Sequence, residues 1–288
     1  MTSITSINTP RAQTLCKILV IANVIFAIAG LHATNDSAKQ KIDAFIIAAK
    51  ANDLPAINSM LESGLDINIR DRVGGTLLFA AVFAKNKNAV ELLLKKGAKI
   101  NAQANDGWTA LLLAIKTGNF EIIKYLVEQG ADIYIKEREL GMDALLMAAS
   151  SNDLKVVKYF IHKGSLVNSQ DKNGWTPLLM AAQKGNFDMV KYLIKKGANV
   201  NTKDSVHHVT PLHFAALRND FAAVHLLIKN GASITSKDIE GKTALQYAAQ
   251  QGNEDVVGYL TSKLSMQKTE VLISIQIVQP QVYLTTTI

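Results

Sequence analysis

Apolar residues recur along most of this chain in two alternating arrangements. Short runs centred on paired alanines (Ala48-Ala49, Ala148-Ala149, Ala181-Ala182, Ala215-Ala216, Ala248-Ala249) alternate with stretches whose aliphatic residues fall at i, i+3 and i+4. The second set comprises Val90, Leu93, Leu94; Ile123, Leu126, Val127; Val190, Leu193, Ile194; and Val224, Leu227, Ile228. That spacing is one face of an α-helix. The alanine pairs give a helix a small face that neighbours can approach closely. Polar breaks at Gly118-Asn119, Gly185-Asn186 and Gly252-Asn253 separate the two kinds of segment. Turn-rich stretches close each pair: QANDGW at 103–108, QDKNGW at 170–175 and KDIEGK at 237–242. The pattern predicts pairs of short helices joined by protruding tight hairpins or turns, an all-α repeat solenoid.

The period is regular. Aligned on T-x-L-x-x-A-A, the first position falls at Asp43, Thr76, Thr109, Asp143, Thr176, Thr210 and Thr243, in steps of 33 or 34 residues. A glycine closes each unit at Gly64, Gly97, Gly130, Gly164, Gly197 and Gly231, and Leu264 holds the seventh place. An asparagine follows most of these, at Asn68, Asn101, Asn168 and Asn201. Seven units are expected over 41–264, at about 41–73, 74–106, 107–140, 141–173, 174–207, 208–240 and 241–264. The Thr or Asp can cap a helix N-terminus by accepting from a free backbone N–H. Pro177 and Pro211 follow at the first helical position, where a missing N–H does no harm. The closing glycine suits the left-handed residue that ends a helix. Terminal units, with one neighbour each, should act as caps.

These units resemble ankyrin repeats. NGWTPLLMAAQKGNFDMVKYLIKKGANVNTKD at 173–204 carries the fullest pattern, and VTPLHFAA at 209–216 carries the T-P-L-H tetrapeptide. Only His213 fills the tetrapeptide's histidine; Phe79, Leu112, Leu146, Leu179 and Gln246 replace it elsewhere. One extra residue enters near Glu137–Leu140 and another near Ser205–His208, both at expected fingertips. The resemblance implies a protein-binding module whose partner contacts the fingertips and the exposed end of each first helix. Carried onto this chain, those positions include Asn105, Asp106, Trp108, Lys116, Met142, Ser150, Lys172, Trp175, Gln183 and Arg218. The residue before each capping Thr or Asp forms a row: Gly75, Trp108, Met142, Trp175, Val209 and Lys242. Both tryptophans stand in it. Trp and Met beside polar residues are typical of binding hot spots. In ankyrin repeats a Gly-Trp-Thr turn also packs on the next finger, so both roles stay open.

Composition narrows the classes. At 48% apolar and 19% charged, the chain is not disordered. A single cysteine excludes a disulfide framework. With only 6% aromatics, the core must be aliphatic, which suits closely packed helices. The net charge is +7, from 26 Lys and only 5 Arg against the acids. Nucleic-acid readers favour Arg for bidentate contacts, so no nucleic-acid partner is expected; the net charge alone leaves a binder of anionic surfaces or nucleic acid as a lesser alternative. Lys95, Lys96, Lys163, Lys195, Lys196 and Lys229 lie at helix C-termini, where cations complement the dipole.

Residues 1–33 read as a targeting segment. Arg11 and Lys17 precede an apolar run from Ile18 to Leu31, followed by small residues at Ala27, Ala29, Gly30 and Ala33. Fourteen residues suit a signal-peptide core, with cleavage after Ala29 or Ala33, better than a spanning helix. An uncleaved membrane anchor is the alternative. Cleavage implies export to a periplasm or the exterior. Residues 34–40 form a linker. Residues 265–288 form a tail; its 271–284 stretch, β-branched and interrupted by Pro280, reads as extended chain, or else as a covering strand.

Catalytic signatures are lacking, and neither flank is long enough for a catalytic domain. No enzymatic activity, cofactor or metal is expected, and the chain is expected to be a monomer. His207, His208, His213 and His225 are the one histidine cluster; His213 is expected to be bonded internally. Asp106, Asp171, Asp204 and Asp238 are expected to organise turns through local N–H groups. Tyr125, Tyr159 and Tyr192 are expected to pack on the outer face.

Overall fold

The computed structural model describes residues 37–278, with side chains through Thr269. Residues 1–33, with the expected signal peptide or anchor, therefore lie outside the described residues. Fourteen helices are present among the described residues, with two isolated β-bridges in place of strands. No described helix is long and apolar enough to cross a membrane. The architecture is an all-helical repeat fold. Packing divides the chain into two compact units that meet in sequence at Lys99 and Ile100.

The first unit holds α1 (Ser37–Lys50), α2 (Leu54–Glu62), α3 (Leu77–Phe83) and α4 (Lys87–Lys95). Helix α1 packs on both α2 and α3. The Asn86 amide ties the two pairs together by donating to the buried Ala49 carbonyl at 2.7 Å. Asp43, aligned with the capping residues, is instead inside α1, in an i, i+4 ion pair with Lys39 at 3.8 Å. No glycine turn precedes it, so nothing stops the helix from beginning at Ser37.

The second unit holds ten helices. They are α5 (Ala110–Thr117), α6 (Phe120–Glu128), α7 (Ala144–Ser150), α8 (Leu154–His162), α9 (Pro177–Lys184), α10 (Phe187–Lys195), α11 (Pro211–Leu217), α12 (Phe221–Lys229), α13 (Ala244–Gln250) and α14 (Glu254–Val278). The odd-numbered helices pack in series, α5 on α7, α7 on α9, α9 on α11 and α11 on α13. Their alanine faces (Ala114, Ala148, Ala181, Ala215) have almost no solvent contact. Thr109, Asp143 and Thr176 cap three of them, accepting from Leu112, Leu146 and Leu179 at 3.2, 2.9 and 3.2 Å. Asn119, Asp153, Asn186 and Asp220 cap α6, α8, α10 and α12 in the same way.

A second set of bonds runs along the opposite edge. Asn168 and Asn201 accept from the Asn199 and Ser233 amides at 2.8 Å and donate to Gly197 and Gly231. Tyr134 occupies the equivalent place, and its hydroxyl donates to the Gly164 carbonyl at 3.0 Å.

Gly197, at φ +87°, shows how a unit ends. Its N–H donates to Ile194 and the next N–H, of Ala198, to Leu193, both at 3.0 Å. This pair of bonds needs a left-handed residue between them. Leu264 stands at the equivalent position in the last pair, and α14 runs on to Val278. The extended conformation expected for 271–284 is therefore replaced by helix as far as Val278; 279–288 lie outside the described residues. Without the stop, a run with no proline before Pro280 simply continues the helix.

Gly197→Ala should destabilise the chain by about 1 kcal/mol, because the alanine Cβ is strained in the left-handed region. A lowered urea midpoint with unchanged far-UV circular dichroism checks this.

Candidate binding face

The fingers are built around carboxylates that are buried at Glu137, Asp204 and Asp238 and half-buried at Asp171. Glu137 accepts the N–H groups of Glu139, Leu140 and Met142 at 2.7 to 3.2 Å. Asp171 accepts from Asn173 and Trp175 at 2.8 Å. Asp204 accepts from Val206, His207 and Val209 at 3.0, 2.8 and 2.8 Å. Asp238 accepts from Glu240 and Lys242, and its other oxygen accepts the Tyr247 hydroxyl at 2.7 Å. Burial raises the Asp171 carboxyl above its ordinary range, while the Trp175 and Asn173 N–H groups pull it back.

Counting back from each capping residue puts Ala104, not Asp106, in phase with these carboxylates. Asp106 is exposed and takes only the Trp108 N–H, at 3.1 Å. The local N–H bond expected of it is therefore present, one bond where Asp171 takes two. Glu137 was missed in the sequence because it is a Glu at the place that Asp171, Asp204 and Asp238 hold in their fingers. The extra residue in its finger moves it six places ahead of Asp143 instead of five.

Neighbouring fingers are joined by one backbone bond at each step. Arg138 N–H donates to Asp106, Lys172 to Leu140, Ser205 to Asn173 and Ile239 to His207, at 2.7 to 2.9 Å. Close approach is needed for this. A Cβ on Gly174, which sits at φ +75°, would lie 2.6 Å from Ser205 Oγ and 3.0 Å from its nitrogen.

Side chains reinforce the ladder. Arg138 donates to the Asn105 carbonyl at 2.9 Å, and the Lys172 ammonium donates to the Arg138 carbonyl. Arg218 donates to the Gln183 carbonyl at 3.3 Å, at the C-terminus of α9. Asn105, Arg138 and Lys172 are thus brought together, as are Gln183 and Arg218. Arg138 was not singled out in the sequence; it stands where the finger gains its extra residue. Asn105, Asp106, Lys116, Lys172 and Arg218 are exposed, and Ser150 and Gln183 are half-buried.

The row ahead of the caps is graded. Trp108, Met142, Trp175 and Lys242 are half-buried, whereas Val209 is buried. Trp175 leans on Phe214, ring centroids 5.5 Å apart and planes 38° apart. One face of its indole therefore belongs to the next helix pair. The outer-face tyrosines do pack: Tyr159 meets Phe120 edge-on at 5.5 Å.

His213 is buried in the stack. Its Nδ1 accepts the Thr210 N–H at 3.1 Å, and its Nε2 lies 3.2 Å from the Lys242 carbonyl, to which it donates. This requires the neutral ring. Burial holds its pKa below the ordinary histidine value. His207 lies 3.6 Å from Asp204, and the His225 ring is 5.7 Å from Tyr259. Among the described residues, no group of three or more His, Cys, Asp or Glu is placed to hold a metal.

The ankyrin-repeat family profile matches in three consecutive copies, over residues 45–137, 135–204 and 205–270. The chain belongs to the ankyrin-repeat family. No curated protein matches it. Its fold is similar to the ankyrin repeat domain of Bcl-3, described as a unique member of the IkappaB protein family. The two share 26% identity and a TM-score of 0.63, over 74% of this chain and 96% of that one. It is also similar in fold to the human ASB11 ankyrin repeat domain, at 24% identity and a TM-score of 0.63, over 75% of this chain and 96% of that one.

His213→Gln tests the buried ring. An unfolded histidine binds a proton near pH 6.5 that the buried one excludes. Stability should therefore fall as pH drops below about 6.5 and continue falling toward the depressed folded pKa. Gln246 already makes the equivalent bond, accepting the Thr243 N–H at 2.8 Å. Urea midpoints between about pH 5 and 7 should flatten in the variant relative to the parent.

Proposed function

We propose that this chain is a seven-repeat ankyrin module, each helix pair being one repeat, that binds a partner protein and performs no catalysis. Ankyrin repeats are in general protein–protein interaction modules. The finger ladder is the observation that supports this reading most directly. It holds Asn105, Asp106, Trp108, Met142, Lys172 and Trp175 on a rigid backbone, so little ordering is left to be done on binding. The exposed ends of α5, α7, α9 and α11 add Lys116, Ser150, Gln183 and Arg218.

Trp108→Ala combined with Trp175→Ala should weaken partner binding at least about tenfold, as hot-spot residues do. Crosslinked capture from the native source supplies the partner, and titration of parent and variant supplies the ratio. Unchanged affinity in a folded variant removes the tryptophans from the site.

We also propose export, with residues 1–33 acting as a cleaved signal peptide. The apolar run at 18–31 supports this. The mature N-terminus should follow Ala29 or Ala33. Sequencing Met1 or Thr2 from membrane-bound material would instead identify an uncleaved tether.

A further inference from the structure

We propose that the face formed by α8, α10 and the turns that close them docks on an anionic phospholipid surface. This is independent of the partner site on the fingers. On α8 the exposed stripe is Lys155, Lys158 and His162; on α10 it is Asp188, Lys191 and Lys195, in phase one period later. Lys163 and Lys196 extend both stripes at the helix C-caps. The cap of α8, Asp153, is occupied with the Val156 N–H at 3.1 Å; Asp188 is the acid within the stripes, and Asp132 and Glu128 lie at their margin beside Tyr134 and Tyr159.

None of these six lysines is in an ion pair among the described residues. On the neighbouring α6, by contrast, Lys124 pairs with Glu128 at 3.8 Å. Aromatic rings line the patch instead. The Lys155 ammonium lies 3.7 Å from the Phe120 centroid, and Lys158 and Lys196 lie 5.6 and 5.8 Å from that of Tyr192. These three ammonium groups thus sit over ring faces.

The turns beyond α6 and α8 add apolar groups. Leu166 is 67% exposed and Tyr134 53% exposed, and the Tyr134 hydroxyl bonds to Gly164 beside Lys163. A single exposed leucine means little. A leucine and a phenol bordering unpaired lysines are the combination that a lipid interface accepts, the ring at the headgroups and the aliphatic group beneath them. Juxtamembrane lysines each add attraction to an acidic leaflet. Nucleic acid fits less well. The patch has no Arg, and its half-buried rings sit under lysines and offer no open stacking platform.

The test is co-sedimentation of the full-length chain with vesicles of phosphatidylcholine alone or with about 30% phosphatidylserine. The anionic vesicles should bind at least about tenfold more tightly, with the preference lost in about 0.5 M salt. The quadruple variant Lys155→Gln, Lys158→Gln, Lys191→Gln, Lys195→Gln should lose the preference while keeping its circular dichroism and urea midpoint. Comparing variant with parent removes any contribution from residues 1–36, which both carry. Leu166→Ser should weaken vesicle binding about fivefold at constant charge. A preference retained by the quadruple variant overturns the proposal, as does equal binding to both vesicles by the parent. Tighter binding to a single-stranded oligonucleotide or to polyglutamate than to vesicles overturns it in favour of that partner.

Discussion

The described repeats depend on one constraint: a pair of helices only seven to nine residues long cannot bury its own apolar face. Each such pair has a buried stripe, as in Val156, Val157 and Phe160 of α8, and an alanine edge, as in Ala148 and Ala149 of α7. The alanine edge is covered only when another pair packs against it. Side-chain size at those positions therefore sets how closely the helices can approach. The scarcity of aromatics follows, because Phe or Trp in place of Ala181 or Ala215 would push the stack apart.

Two sets of polar bonds hold the apolar stack in register. Along the finger edge, backbone N–H groups reach a carbonyl of the preceding finger; along the opposite edge, asparagines and Tyr134 reach a carbonyl of the following repeat with their side chains. Buried or half-buried carboxylates hold the fingers of Glu137, Asp171, Asp204 and Asp238 in shape from inside. The finger at 103–108 differs, since Ala104 supplies no carboxylate. There Gln103 donates to the Gly107 carbonyl at 3.0 Å, and Asp106 is left facing solvent.

Most of the fold was legible in the sequence because the repeat supplies many copies of the same physical instruction. Capping by Thr109 and Thr176, the glycine stop at Gly197 and the internal role of His213 all follow from residue type and position. Legibility failed where a residue lacked its usual neighbours. Asp43 matches the capping position but has no turn before it, and the 271–278 stretch was read from β-branching alone, although the missing stop at Leu264 decides it. The face was less legible than the fold. Half-burial of Trp175 depends on Phe214, about forty residues away, and the roles of Glu137 and Arg138 emerge only once the extra residue in their finger is phased.

That extra residue lies between the point where a finger donates and the point where it accepts. In the finger at 137–142 these are Arg138 and Leu140, two apart; in the finger at 171–175 they are Lys172 and Asn173, adjacent. The ladder therefore tolerates a change of loop length at its own rungs. The pitch of the stack and the reach of its tips are set by separate residues. A lineage of such chains can lengthen, shorten or rewrite one fingertip without disturbing the repeats that hold the other tips in place.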